Sequence, residues 1–196
     1  LSEHSVDRIA AAFQDVELGD PRRTRRLVRT VAMLARQPSA SVPAACVTDA
    51  AVQGAYRLVN NPCVEFDRLL VTQAEITRQR AELARDVLVL HDTTDCSFRD
   101  LDPEEIGYLN TGKAGFRLHA ALVVDSNEWR RPLGVIAAET VHRSRPTRRG
   151  GRKRSGSDSA GGDKEFARWH RGLAVSSERL ANCRSVLHVA EPEGLA

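Results

Sequence analysis

Two acidic residues sit where a divalent ion could be held. Asp92 closes the run Asp86-Val87-Leu88-Val89-Leu90-His91-Asp92, and Thr93 and Thr94 follow it. Glu191 comes in the same way after Val186-Leu187-His188-Val189-Ala190. A carboxylate at the end of an apolar strand is costly to bury unless it is paired or binds a metal. Two such carboxylates meeting at neighbouring strand ends would attract a divalent ion. The blander readings stay open: Asp92 as a turn cap bonded to its own backbone, and Glu191 as an ordinary loop residue.

The other chemistry on offer is cationic. Between Pro21 and Thr48 there are six arginines (Arg22, Arg23, Arg25, Arg26, Arg29, Arg36) and no acid. Between Arg143 and Arg154 there are seven basic residues and again no acid. Acids gather instead at Asp100, Asp102, Glu104 and Glu105. Such segregation points to a polyanionic partner more strongly than the net charge of +3 does. The arginines from Arg22 to Arg26 open a helix, and helix starts bind phosphate through free N–H groups and the macrodipole. A solvated basic helix face is the alternative. Arg57 has two readings as well, a phosphate contact or a partner for Asp49.

These residues need elements to hold them. Val6, Ile9, Phe13 and Val16 fall at helical spacing, and Gly19 is expected to stop that helix in a left-handed cap. Asp20 caps the next helix, with Pro21 at its first position. Leu27, Val28, Val31 and Leu34 form the inward stripe of that helix. Pro38 and Pro43 bracket an expected loop. A third helix spans about Asp49 to Val59, with Val52, Tyr56 and Val59 expected inward, and Asn60-Asn61-Pro62 ends it. A fourth fits Glu65 to about Arg85. The period then changes. Asp86 to Asp92 reads as a strand buried on both faces, with further strands at Phe116–Val124, Pro132–Val141 and Ser185–Ala190. A helix runs from about Lys164 to Leu180, and His142 to Asp163 reads as a basic, Gly/Ser-rich loop. Trp129 and Trp169 are expected as core or edge anchors, and His119 as a packed strand residue.

The expected fold is therefore α+β. An all-helical unit over 1–85 precedes a mixed sheet of order β-β-β-α-β over 86–196, in which the first and fourth strands can lie side by side. At 196 residues and 41% hydrophobic content the chain can bury a core, which excludes general disorder. No apolar run approaches the roughly 20 residues of a membrane span, and no segment reads as a secretory signal. Cys46, Cys63, Cys96 and Cys183 form no C-x-x-C pair, so they read as reduced thiols of a cytoplasmic protein. The chain opens on Leu1 and stops just past its last strand, and it reads as a fragment.

The motifs Leu18-Gly19-Asp20-Pro21-Arg22-Arg23-Thr24, Gln53-Gly54-Ala55-Tyr56-Arg57 with Asn61-Pro62, and Asp92-Thr93-Thr94 resemble, in order and spacing, the cut-and-paste DDE transposases of the insertion-sequence-four type. Gly115 with His119, and Pro132-Leu133-Gly134, extend the resemblance over almost the whole chain. It implies a helical domain that binds double-stranded transposon ends and an RNase H-like core in which three carboxylates hold two Mg2+ or Mn2+ ions. It also implies a homodimer on paired ends, nucleoid-associated when bound to DNA. By position, Asp92 matches the first carboxylate. Glu191 stands where the family has Asp, and the third acid belongs to a helix beyond Ala196. Arg22, Arg23 and Arg26 match the end-binding cluster, Arg57 is a further candidate DNA contact, and Thr93 and Thr94, beside the metal site, either touch the strand being cut or form a turn. The chain alone is expected not to transpose. Two alternatives remain: a DNA-binding remnant without catalysis, and a two-carboxylate nuclease dependent on Asp92.

Overall fold

The computed structural model describes residues 2–127, 129–143 and 162–190. The chain divides into two compact units, Leu1–Ile76 and Thr77–Ala196. In the first unit lie α1 (Glu3–Ala11), α2 (Pro21–Arg36), α3 (Val42–Cys46), α4 (Asp49–Val59) and the start of α5 (Phe66–Ala84). The second holds the rest of α5, then β1 (Asp86–Ser97), α6 (Pro103–Ile106), β2 (Gly115–Asp125), β3 (Pro132–Val141), α7 (Gly162–Arg179) and β4 (Ser185–Ala190). Among the described residues no helix is long and apolar enough to cross a membrane.

The helical unit is set by its caps and one small core. Asp20 caps α2 by accepting from the Arg22 amide at 2.8 Å, with Pro21 in the first turn. Val16, Leu18, Leu27 and Leu58 are buried together, with Phe13, Val31, Val64 and Leu69 packed against them. Thr24 donates its hydroxyl to the Val16 carbonyl at 2.8 Å, which ties the segment before α2 to its second turn.

Several expectations for this unit change. α1 stops at Ala11, and Gly19 takes its positive φ of 75° just before the α2 cap rather than at the end of α1. The stretch between Pro38 and Pro43 is not all loop. Ser41 accepts from the Ala44 amide, and Pro43 sits in the first turn of α3, where its missing N–H costs nothing. In α4 the buried residues are Gly54, Ala55 and Leu58, while Tyr56 and Val59 are 45% and 61% exposed. Small side chains face inward there because α2 lies close.

In the second unit the strands run in the order β3-β2-β1-β4, with β1 antiparallel to β2, β2 antiparallel to β3, and β1 parallel to β4. The first and fourth strands are thus neighbours, as the order of elements suggested. α7 packs on one face, over Val87, Val89 and His91 of β1 and His119, Ala121 and Val123 of β2. Leu88, Leu90 and Asp92 take the other face, with Leu187 and Val189 beside them in register. β1 is therefore not buried on both faces, since Leu90, Leu187 and Val189 are 37%, 59% and 45% exposed. Nor does β1 end at Asp92. The antiparallel ladder with β2 carries it to Ser97, through residues with no apolar run of their own.

The outer edge of β3 is blunted by side chains. Thr77 and Arg80 donate to the Val135 and Leu133 carbonyls at 3.0 Å each, and Arg179 donates to the Ile136 carbonyl. Donors placed this way occupy groups that would otherwise template a further strand. Trp129 is no anchor; in the turn between β2 and β3 it is 82% exposed.

Candidate functional site

The arginine cluster on α2 splits by partner. Arg23 folds back, and its Nη1 donates to the Leu18 carbonyl at 2.8 Å, so part of its hydrogen-bonding capacity braces the helix entry. Arg25 makes only a long bond of 3.4 Å to the Pro21 carbonyl. Arg22, Arg26 and Arg29 are exposed and have no ion pair among the described residues. The Asp20 carboxylate caps the positive end of α2 and Pro21 has no N–H, so what this helix start offers an anion is its arginine side chains. Arg22, Arg25, Arg26, Arg29 and Arg36 line a groove of about 940 Å3 between α1, α2 and α4, and Asp7 is its one acid.

Gly54 is what lets Arg26 lie across α4. A Cβ at position 54 would fall well inside 3.0 Å of Arg26 Nη1, a separation real Cβ atoms essentially never show. The obstacle is the far end of a flexible side chain, so the fold can accommodate a methyl by moving the guanidinium. Gly54→Ala is therefore expected to keep or raise thermal stability, since Ala is the better helix former by up to about 1 kcal/mol. The same change is expected to weaken DNA affinity a few-fold, as read by fluorescence anisotropy on a labelled duplex. Arg57 lies one turn beyond Gly54 on α4, exposed and with no bond among the described residues; it does not pair with Asp49.

Asp92 lies one residue beyond the last β1–β4 pair among the described residues, His91↔Ala190. Its carboxylate is exposed; Oδ1 accepts from the Thr93 amide at 2.7 Å, and Oδ2 takes no hydrogen bond among the described residues. Thr94 shares the Asp92 face and is exposed. Thr93 points to the opposite face, where its hydroxyl bonds His119 Nδ1 at 2.9 Å. The strand alternation separates the two threonines. Glu191 lies outside the described residues, as does the basic segment apart from Arg143. Among the described residues no three His, Cys, Asp or Glu side chains are placed to hold a metal ion.

Behind Asp92, under α7, the structure assembles a histidine cluster that was not legible as a group. His91 Nε2 and His188 Nδ1 are 3.0 Å apart, and His188 Nε2 meets the Ser177 hydroxyl at 3.0 Å. Trp169 lies edge-on to His119, with ring centroids 4.7 Å apart. The remaining nitrogens, His91 Nδ1 and His119 Nε2, are buried without a partner among the described residues. Both face Gly172 of α7, where a Cβ would lie 2.9 Å from His119 Nε2 and 3.5 Å from His91 Nδ1. A signal existed: each histidine interrupts an apolar strand. Their convergence depends on the strand order, which spacing along the chain does not reveal.

Burial, then His188 and His119, push the His91 pKa down to about 4. Burial also lowers His119, helped by Arg168 and opposed by Glu139 and Asp92, and it lowers His188. The folded state therefore favours neutral imidazole. Stability is full above the ordinary value of about 6.5 and falls as the pH drops toward 4, because the unfolded chain binds the proton first. For His91 alone the loss is about 2 kcal/mol at pH 5. Thermal melts at pH 7.5 and pH 5 should show the loss, and His91→Gln should remove most of it.

Residues 7–64 match the family model described as transposase DNA-binding. The match covers α2, α3 and α4 and so includes Arg22, Arg23, Arg26 and Arg57. Over these residues the helical unit is similar to transposase DNA-binding domains, a similarity that points to DNA as the partner.

Proposed function

We propose that this chain is the DNA-binding and partial catalytic portion of a cut-and-paste transposase of the insertion-sequence-four type, gripping transposon-end DNA through the start of α2. The observation that carries the reading is the set of cations at that helix start. Arg22 and Arg26 are exposed without an ion pair among the described residues, so their guanidiniums are open to phosphate. Arg57 adds a charge from α4, and Arg23 contributes by fixing the entry of α2. Such contacts position the protein on the duplex and weaken steeply with salt. Pairing of two ends by a homodimer belongs to the same reading.

In this proposal the second unit is an RNase H-like core, supported by the parallel β1–β4 pair flanked by antiparallel β2 and β3. Asp92 suits a hard cation, because its exposed carboxylate keeps one oxygen open while the Thr93 amide holds the other. Asp92 and Glu191 would hold Mg2+ or Mn2+. Two such ions, when bound, activate the attacking oxygen and neutralise the leaving oxygen in phosphodiester cleavage and strand transfer. Asp92 then serves as an acceptor-only anchor, and Thr94 is the neighbour placed to touch the strand being cut. A second reading, DNA binding without chemistry, is favoured by Glu191 standing where the family has Asp.

The test is duplex binding followed across a salt series, with Mn2+ binding measured separately by calorimetry. The chain should bind duplex DNA with an affinity that falls steeply as salt rises. Asp92→Asn should weaken Mn2+ binding at least tenfold and leave duplex affinity within about twofold. Affinity indifferent to salt would contradict the DNA-binding reading. Mn2+ binding unchanged by Asp92→Asn would contradict the catalytic reading and leave the second one standing.

A further inference from the structure

We propose that the stacked rings of Phe98, Phe116 and His142 form a platform on the Asp92 face of the sheet for the base of an unpaired DNA nucleotide. The proposal rests on the transposase reading above and adds to it a subsite for single-stranded DNA.

The register places the platform. Asp92 pairs with Ala120, Thr94 with Leu118 and Cys96 with Phe116, and alternate residues share a face. Phe116 therefore stands on the Asp92 side of the sheet, four residues further along β2. At about 3.4 Å per residue that is roughly 14 Å. The ring centroids of Phe98 and Phe116 are 5.8 Å apart with planes at 30°, and those of Phe116 and His142 are 5.2 Å apart at 38°. Phe98 is 38% exposed and His142 is exposed too, so the row is open at both ends.

The platform is held in place. His142 Nδ1 donates to the Ile106 carbonyl at 2.8 Å, which fixes the imidazole and leaves Nε2 as an acceptor in the neutral ring. The Phe98 amide donates to the Ala114 carbonyl, Gly115 to Gly107, and Tyr108 to Arg143, so the β1–β2 connection is laced to the end of β3. Rings already ordered lose little freedom when a flat ligand arrives. Stacking on aromatic rings is the sequence-tolerant way to hold an unpaired base, because every base has a π-face.

The surrounding charge favours a single strand over a duplex. Arg99, beside Phe98, is exposed with no ion pair among the described residues, and it can meet a backbone phosphate. Asp100, Asp102, Glu104 and Glu105 follow in the same connection. Asp102 is occupied in capping α6 and Glu104 in accepting from the Tyr108 hydroxyl. Their charge still repels the dense phosphates of a duplex more than the sparser ones of one strand. A duplex, moreover, keeps its base faces stacked away from protein rings.

The full chain can be titrated at low salt with labelled single-stranded oligodeoxythymidylate and with a duplex of equal length. Phe98→Leu keeps apolar bulk and removes the flat ring; Phe98→Tyr keeps the ring. The platform predicts about a tenfold weaker single-strand affinity for Phe98→Leu, duplex affinity within about twofold, and near-normal behaviour for Phe98→Tyr. Phe116→Leu should repeat the loss, with melting curves checking that it folds. Unchanged single-strand affinity in Phe98→Leu, equal losses on both DNAs, or no single-strand binding by the unaltered chain would overturn the platform. If the unaltered chain bound no duplex, the transposase reading would fall as well.

Discussion

Gly115→Ala is expected to destabilise the sheet unit by about 3 kcal/mol and to lower its melting temperature by about 10 °C. The β1–β2 ladder ends at Ser97↔Gly115, where the two backbones approach more closely than side chains allow. A Cβ on residue 115 would fall well inside 3.0 Å of the Cys96 carbonyl oxygen and 3.0 Å from Leu109 Cδ1. The first obstacle is backbone, which cannot swing aside as the Arg26 guanidinium can at Gly54. Relief requires the strands to part, which also loosens the Gly115 amide bond to the Gly107 carbonyl at 2.9 Å. Calorimetric melting of the two proteins measures the effect directly. Equal melting temperatures would mean that the strands separate there at no cost.

Replacing Arg22 and Arg26 together by Ala is expected to weaken duplex binding by about 30-fold near 0.1 M salt. The slope of log affinity against log salt should fall by about 2, roughly one unit for each lost phosphate contact. Both side chains are exposed, and neither has an internal bond that the fold relies on. Stability should therefore be unchanged. Arg23→Ala is expected to behave in the opposite way. Its Nη1 satisfies the Leu18 carbonyl, so its loss should cost about 1 kcal/mol of stability and move the salt slope less. An anisotropy titration at four salt concentrations separates the two patterns.

What the sequence made legible follows from how local each signal is. The bounds of α4, β3 and β4 agree with their sequence reading because each is a short run closed by strong punctuation, such as Asn60-Asn61-Pro62 or Pro132. The cap at Asp20 is equally local, a side chain bonding an amide two residues on. The far half of β1 was not readable, since Thr93-Thr94-Asp95-Cys96-Ser97 has no strand pattern and is held extended by β2. The inward face of α4 was misread because periodicity favours large residues such as Tyr56 and Val59. The packing instead uses Gly54 and Ala55, which let α2 come close.

The candidate site divides along the same line. Arg22, Arg23 and Arg26 were legible as a cluster because they follow a helix start in the chain itself. That Arg23 braces the entry while the other two stay open depends on the Leu18 carbonyl, which only the fold brings near. Asp92 was legible from the apolar run before it, whereas the placement of Thr93 away from it and Thr94 beside it needed the strand to continue. The histidine cluster and the Phe98–Phe116–His142 row join residues from separate strands. Linear spacing carries no trace of such meetings.

The grip of the α2 start on DNA is tested most directly by amide hydrogen exchange of the whole chain, with and without a duplex of arbitrary sequence at low salt. Added DNA should slow exchange at the first turns of α2, around Arg22 to Arg26, and along the Gly54–Arg57 flank of α4. Slowing confined to the sheet, or no slowing at the start of α2 while DNA is bound, would contradict it.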